Sequence, residues 1–318
     1  MSVYTPLSLA QVQQFASQFA LDIVDLKPIQ GGIQNTNYFL IAADGTQYVL
    51  TLFEQMDADD VASLFPALQQ LAKSSLPMAL PLSIDGQAVF TLADKPAQIA
   101  PRIYGEHPEP SATVGQAQAI GHALATLHMA LKDVDLDREN THGDIWLAET
   151  SALLYKEEMT PAQQQLMDTV LTAYQNVQQQ YPNRPKGLIH ADLFRDNTLY
   201  QGDTLSGMLD FFEINRDEFL LDISIAINDF CSDYPNIVLN DEKYQAFLHG
   251  YQQIRPLTDD EQAALPVYLA MAAFRFWMLR LDVARMNRLQ GRTGADILQK
   301  DPEQMRAMLE QRLQRAKV

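Results

Sequence analysis

The sequence predicts an α+β fold in two lobes. Residues 1–102 form an N-terminal lobe around a five-stranded antiparallel sheet with helices; residues 103–318 form a mainly helical lobe that carries a polar loop and a hairpin. Three observations predict it. Short runs rich in β-branched and aromatic residues, punctuated by Gly and Asp turns, fill much of residues 21–102. Gly105, Pro108 and Pro110 in the stretch Ile103–Pro110 mark a linker. Beyond it, apolar residues recur at helical spacing, except around residues 186–212. With 318 residues, 47% of them hydrophobic, the chain can bury a sizeable core.

Ser8-Leu9-Ala10-Gln11 is a capping-box pattern and opens an amphipathic helix to about Ala20. Leu21–Ile29 reads as a first strand ended by Gly31-Gly32, Asn37–Ala42 as a second, and Gln47–Phe53 as a third after an Asp44-Gly45 turn. Gly31-Gly32 is either a tight turn or a loop whose N–H groups hold phosphate oxygens; it lacks the Lys-Ser/Thr of a P-loop. Asp57–Ser74 is largely helical, with Asp57 as cap and a kink or break at Pro66. Ala88–Leu92 and Lys95–Arg102, turned at Asp94-Lys95, complete the sheet.

Thr113–Leu131 is a long helix with Ile120, Leu124 and Leu127 at apolar spacing, and His122 and His128 on it read as packing or surface residues. Thr160-Pro161 starts a glutamine-rich helix towards Tyr181, broken by Pro182-Asn183-Arg184-Pro185. Thr258-Asp259-Asp260-Glu261 is a second capping box, and a helix near Pro266–Met286 contains the run Phe274–Arg280. Most of that run is core. Arg275 and Arg280 read either as exposed salt-bridge residues or as a bidentate partner for a substrate carboxylate. Asp301-Pro302 starts a terminal helix.

The chemistry concentrates in residues 186–212. Leu188-Ile189 is a buried run leading into a loop with His190, Asp192 and Asn197; Thr198–Tyr200 and Leu205–Leu209 read as a hairpin, followed by Asp210-Phe211-Phe212. A turn centred near Asp203-Thr204 sets Asn197 opposite Asp210, with Cα atoms about 5 Å apart. An amide oxygen beside a carboxylate suits a hard cation such as Mg²⁺, and Asp192 at the loop mouth is free to orient a substrate hydroxyl. His142-Gly143-Asp144 imitates the start of this loop, but Glu149 rather than Asn follows five residues after Asp144, and it reads as a loop leading to a helix.

His190-x-Asp192-x-x-x-x-Asn197 followed by Leu209-Asp210-Phe211 resembles the catalytic and metal-binding segments of the aminoglycoside-phosphotransferase-like kinases, relatives of the protein kinases. Asn35-Thr36-Asn37-Tyr38, Tyr48–Glu54, Ile189–Phe194 and Arg275-Phe276-Trp277 make the chain most similar to the homoserine kinase branch of that superfamily. The resemblance implies a bilobal protein-kinase-like fold, use of ATP and Mg²⁺, and phosphorylation of the L-homoserine hydroxyl in threonine biosynthesis. It implies Asp192 as catalytic carboxylate, His190 as the residue that holds the loop, and Asn197 and Asp210 as metal ligands. Gly31, Gly32, Asn35, Thr51 and Arg102 are the implied nucleotide contacts; Arg195, Arg275 and Arg280 are candidate substrate contacts. Asp222 is placed to cap the following helix or to accept bonds from the loop backbone. Thr51 stands where these kinases usually have lysine, which leaves Lys27, Lys73, Lys95, Arg102 and Arg195 as possible phosphate partners. Alternative readings are a kinase of choline, an aminoglycoside or methylthioribose, and a nucleotide-binding pseudokinase.

The net charge of −17 argues against a nucleic-acid partner. The sequence shows no apolar run long enough to cross a membrane and no secretory signal at its start, and the lone Cys231 excludes an internal disulfide. A cytoplasmic monomer or homodimer acting on a small molecule is expected.

Overall fold

The computed structural model describes residues 4–29, 35–136, 138, 140, 142–291 and 299–318. The chain opens with α1 (Leu9–Ser17), whose N-terminus closes as a capping box between Ser8 and Gln11. Five strands follow: β1 (Ile23–Pro28), β2 (Asn35–Ala42), β3 (Gln47–Phe53), β4 (Phe90–Leu92) and β5 (Lys95–Pro101). They form one antiparallel sheet in the order β1-β2-β3-β5-β4. Between β3 and β4 the expected helix is split into α2 (Ala58–Ser63) and α3 (Phe65–Leu71), with Asp57 capping the first and Pro66 in the opening turn of the second.

Period-2 alternation gives the sheet two different faces. Leu40, Leu50, Leu52 and Ile99 pack with Val12 and Phe15 of α1 into a closed core. Asn35, Asn37 and Phe39 of β2, Val49 and Thr51 of β3, and Gln98 and Ala100 of β5 lie on the other face, which lines a cleft. The strand pattern that builds the core therefore also fixes the lining of the cleft.

The segment after β5 is pinned to the following part of the fold by paired bonds of 2.9 Å between Glu106 and Tyr200 backbones. A Cβ at Gly105 would lie 2.4 Å from Ser206 Oγ and 2.9 Å from the Tyr200 carbonyl, so only glycine fits there.

The helical part contains α4 (Val114–Ala130), α5 (Asp144–Glu157), α6 (Pro161–Gln180), α7 (Phe219–Phe230), α8 (Asp241–Gln252), α9 (Asp259–Leu289) and α10 (Pro302–Ala316). Short strand pairs are set among them: β6 (Lys186–Ile189) with β9 (Asn215–Glu218), β7 (Thr198–Gln201) with β8 (Thr204–Met208), and β10 (Ser232–Asp233) with β11 (Val238–Leu239). α9 is the central helix, with Phe274 and Trp277 fully buried. Its length and composition are sufficient to cross a membrane, contrary to the sequence expectation, but 83% of its apolar window is buried inside the fold. It is apolar because it is packed on many sides. Burial also corrects the surface reading of Arg275 and Arg280, each of which is 8% exposed.

Candidate active site

β6 delivers the chain into the polar loop, and β9, hydrogen-bonded to β6 from Ile189↔Asn215 to Lys186↔Glu218, leads directly into α7. This topology brings the fourth residue of α7, Asp222, beneath the loop. Its carboxylate accepts the N–H of His190 at 2.7 Å and of Ala191 at 3.0 Å, and lies 3.0 Å from His128 Nε2 on α4. Burial alone would raise the Asp222 pKa; the His128 hydrogen bond and its other polar partners outweigh it and hold the group below the ordinary carboxylate range. These bonds hold Ala191 at φ +68°, left-handed backbone that an L-residue adopts at a cost of about 1–3 kcal/mol. That bend separates His190 from Asp192. His190 turns inward, fully buried, with Nε2 3.0 Å from the Leu209 carbonyl. Burial pushes its pKa down, so the ring is neutral at physiological pH.

Asp192 faces the cleft. Asn197 Nδ2 donates to the Asp192 carbonyl at 2.8 Å and to its carboxylate at 3.2 Å. The Asn197 side-chain oxygen is left without a hydrogen bond among the described residues.

The hairpin register differs from the sequence expectation. The turn is Gly202-Asp203, and Ser206 is extra in a bulge: Gln201 pairs with Thr204 and Tyr200 with Leu205, but Leu199 pairs with Gly207 and Thr198 with Met208. Asn197 therefore stands opposite Leu209, whose N–H donates to the Asn197 carbonyl at 2.9 Å, and not opposite Asp210. Asp210 enters the cleft by another route, a left-handed backbone at φ 59°, ψ 62°, conformations that Asp tolerates better than most residues.

Asp192, Asn197 and Asp210 thus line one cleft of about 1410 Å³, which also receives the polar face of the sheet. That volume holds a nucleotide and a small acceptor together, since pockets for single drug-sized ligands run to about 1,000 Å³. Neither carboxylate forms an ion pair among the described residues. Burial, then the charge of Asp210, raises the Asp192 pKa well above its ordinary value. Burial, then Glu213 and Asp196, pushes Asp210 up to about 6. Two crowded, desolvated carboxylates beside an unused amide oxygen fit a divalent cation, whose charge removes the repulsion. Among the described residues no cluster of three or more His, Cys, Asp or Glu forms a metal cage. Mg²⁺ needs none, because it is bound through one or two carboxylates plus phosphates and water.

This strain has a measurable consequence. A folded-state pKa of about 6 against 3.8 means that the folded chain keeps a proton that the unfolded chain has lost between about pH 4 and 6. Stability therefore falls as pH rises through that window, by up to about 3 kcal/mol. Without divalent ions, Asp210→Asn is expected to be about 1–3 kcal/mol more stable than wild type at pH 7, with the gap closing near pH 4. Urea unfolding at the two pH values measures it; a gap independent of pH would contradict the assignment.

The other candidates distribute as follows. Asn35 is buried and lines the cleft; Gly31 and Gly32 lie outside the described residues. Thr51 lines the cleft with its hydroxyl 2.8 Å from Asn37 Oδ1, a neutral pair where a lysine was missed. Of the cations considered for the phosphates, Lys27 and Lys73 are exposed, and Lys95 is paired with Glu54 at 2.9 Å. Arg102 does line the cleft, its guanidinium 4.0 Å from the Phe39 ring centroid and 4.9 Å from that of Tyr104. Arg195 turns away from it, bonded to Asp229 at 3.1 Å and to the Pro110 carbonyl, and set 3.9 Å over Tyr234. Arg275 is not among the cleft residues; it bonds Asn140 at 3.2 Å and faces Asp217 at 3.9 Å. Arg280 is among them.

Sequence reasoning missed Lys300, which lines the cleft with its ammonium 2.8 Å from Asp196 and 5.1 Å from the Phe194 ring centroid. No local signal marks it. It also set aside His142, which lines the cleft just before α5 although its segment is, as expected, a loop leading to a helix. Phe276, Leu279, Arg280 and Val283 of α9 also stand in the cleft wall, and of these the sequence pointed to Arg280 as a candidate contact.

Residues 25–266 match the model of the phosphotransferase enzyme family. A homoserine kinase of Methylobacillus flagellatus is 36% identical over 289 residues, 89% of this chain and 87% of that one. A homoserine kinase of Pseudomonas aeruginosa is 32% identical over 314 residues, 98% and 96% of the two chains. Among solved structures, a microcompartment-associated aminopropanol kinase superposes with a TM-score of 0.70 at 18% identity, covering 95% of this chain and 94% of that one. An amicoumacin kinase in complex with AMP-PNP and Ca²⁺ gives 0.67 at 19%, covering 97% and 94%.

Proposed function

The chain belongs to the phosphotransferase enzyme family, and we propose that it transfers the γ-phosphoryl group of ATP to the side-chain hydroxyl of L-homoserine, giving O-phospho-L-homoserine and ADP. The acceptor rests on near full-length similarity to enzymes named homoserine kinase. The reaction type rests on one geometric observation: Asn197 grips Asp192 in the cleft that Asp210 also enters.

Asp192 orients the acceptor hydroxyl and takes its proton. Its raised pKa makes it a stronger base than an exposed carboxylate, yet still far weaker than an alkoxide, so the proton moves late, as charge leaves the oxygen. Asn197 fixes the Asp192 carboxylate with Nδ2 and offers Oδ1, with the Asp210 carboxylate, to Mg²⁺. The cation that Asn197 and Asp210 would hold would offset the negative charge of the phosphates. His190 and Asp222 shape the loop and do no acid–base chemistry. Asn35, Thr51 and Arg102 line the nucleotide side, and Arg102, Arg280 and Lys300 set positive charge against the carboxylates of the cleft. The work is positioning and electrostatics. The protein acts in the cytoplasm as a monomer or homodimer, without nucleic acid or membrane; the charge of −17 speaks against a nucleic-acid partner and the burial of α9 against a membrane span by that helix.

An ADP-release assay with Mg-ATP tests the acceptor. L-homoserine is expected to exceed choline, kanamycin and methylthioribose by at least about 10²-fold in kcat/KM. Preference for any of the other three, or Mg-ATP binding with no turnover of any acceptor, would contradict it.

A further inference from the structure

Two buried arginines, Arg280 and Arg312, have no carboxylate partner among the described residues, and they differ in one respect. Arg312 spends Nε on Asn228, Nη1 on the Ile237 carbonyl and Nη2 on Ser232. Arg280 spends only Nη1, on the Asp301 carbonyl at 2.8 Å and Gln304 Oε1 at 3.0 Å. Its Nε and Nη2 make no hydrogen bond among the described residues. Arg280 lines the cleft and Arg312 does not. Burial pushes the Arg280 pKa below its ordinary value. A guanidinium kept desolvated with two donors on one edge unspent is a site waiting for an anion, and that edge matches the two oxygens of a carboxylate.

The surroundings say which end of the cleft this is. Phe276, one turn before Arg280 on α9, packs edge-to-face on Phe194 at 4.7 Å, and Phe194 is two residues from Asp192. The Lys300–Asp196 ion pair closes the same wall.

We infer that Arg280 binds the α-carboxylate of the amino-acid acceptor through Nε and Nη2, and that this contact makes the enzyme select an amino acid over a simple amino alcohol. The inference rests on the homoserine reading above and assigns its specificity residue. Phe194 and Phe276 flank the acceptor carbons, and the hydroxyl end reaches Asp192.

The test compares kcat/KM for L-homoserine and for 3-aminopropan-1-ol, which keeps the hydroxyl and amine but lacks the carboxylate, in wild type, Arg280→Lys and Arg280→Gln. Wild type is expected to prefer L-homoserine. That preference falls about 10²-fold in the glutamine variant and about 10-fold in the lysine variant, chiefly through KM for L-homoserine. The rise in melting temperature given by saturating L-homoserine shrinks in both variants, while the rise given by Mg-ATP persists. If the glutamine variant does not fold, the lysine variant decides. A preference unchanged in the variants, or a loss shared equally by both acceptors, overturns the assignment of Arg280 alone. A wild-type enzyme that treats the two acceptors alike overturns the homoserine reading and this inference with it.

Discussion

Asp192→Asn is expected to lower kcat with L-homoserine by about 10³-fold while leaving the protein at least as stable as wild type. The substitution keeps shape and removes both the charge and the basicity. Asn197 Nδ2 still has an oxygen to hold, so the loop geometry survives. The proton on the acceptor hydroxyl loses its destination, and the whole general-base contribution, about 10²–10⁴-fold, is forfeited. Stability moves the other way because burial, then the charge of Asp210, disfavours the ionised form of wild-type Asp192 and raises its pKa. Replacing it with a neutral amide removes that penalty. Steady-state kinetics and urea unfolding on one preparation check both halves. A variant that keeps full turnover would show that Asp192 is not the base, and one that is less stable than wild type would contradict the stability half.

Asp222→Ala is expected to do the reverse, costing about 3–5 kcal/mol of stability before any effect on chemistry is considered. The carboxylate is fully buried and serves the N–H groups of His190 and Ala191 and the ring of His128. Its loss leaves those groups unpaired in the interior, at about 1–3 kcal/mol each before relaxation. Against a typical domain stability of about 5–15 kcal/mol, that is about a fifth or more of the total. Asp222→Asn should be nearly as harmful, because its amide presents donors to donors. The residual folded protein should also turn over slowly, since the carboxylate that accepts the Ala191 N–H and supports its left-handed conformation is gone. Chemical unfolding measures the effect; a loss below about 1 kcal/mol would mean that the loop holds itself.

The contrast between these two aspartates shows what the sequence could and could not reveal. Local rules transfer well. Ser8 with Gln11, and Thr258 with Glu261, form capping boxes because three-residue spacing settles the geometry without help from the rest of the fold. Strands β2 and β3 were legible from alternation, and Pro66 from its missing N–H. The loop residues were legible as a set because their types and order are dictated by chemistry. Register was not, because the Gly202-Asp203 turn and the bulge at Ser206, which lies against Gly105, together shift the pairing by one residue. Nor could spacing separate Arg275 from Arg280: α9 is apolar nearly all round, so periodicity marks no single face, and only the fold shows which one meets the cleft. Lys300 lies 104 residues from its partner Asp196, beyond the reach of any local rule.

Anomalous diffraction from crystals grown with Mn²⁺, a non-hydrolysable ATP analogue and L-homoserine gives the most direct measurement. The expected result is Mn²⁺ contacting Asn197 Oδ1 and the Asp210 carboxylate, with the acceptor hydroxyl hydrogen-bonded to Asp192. Manganese bound away from both residues, or an acceptor hydroxyl that turns its back on Asp192, would contradict it.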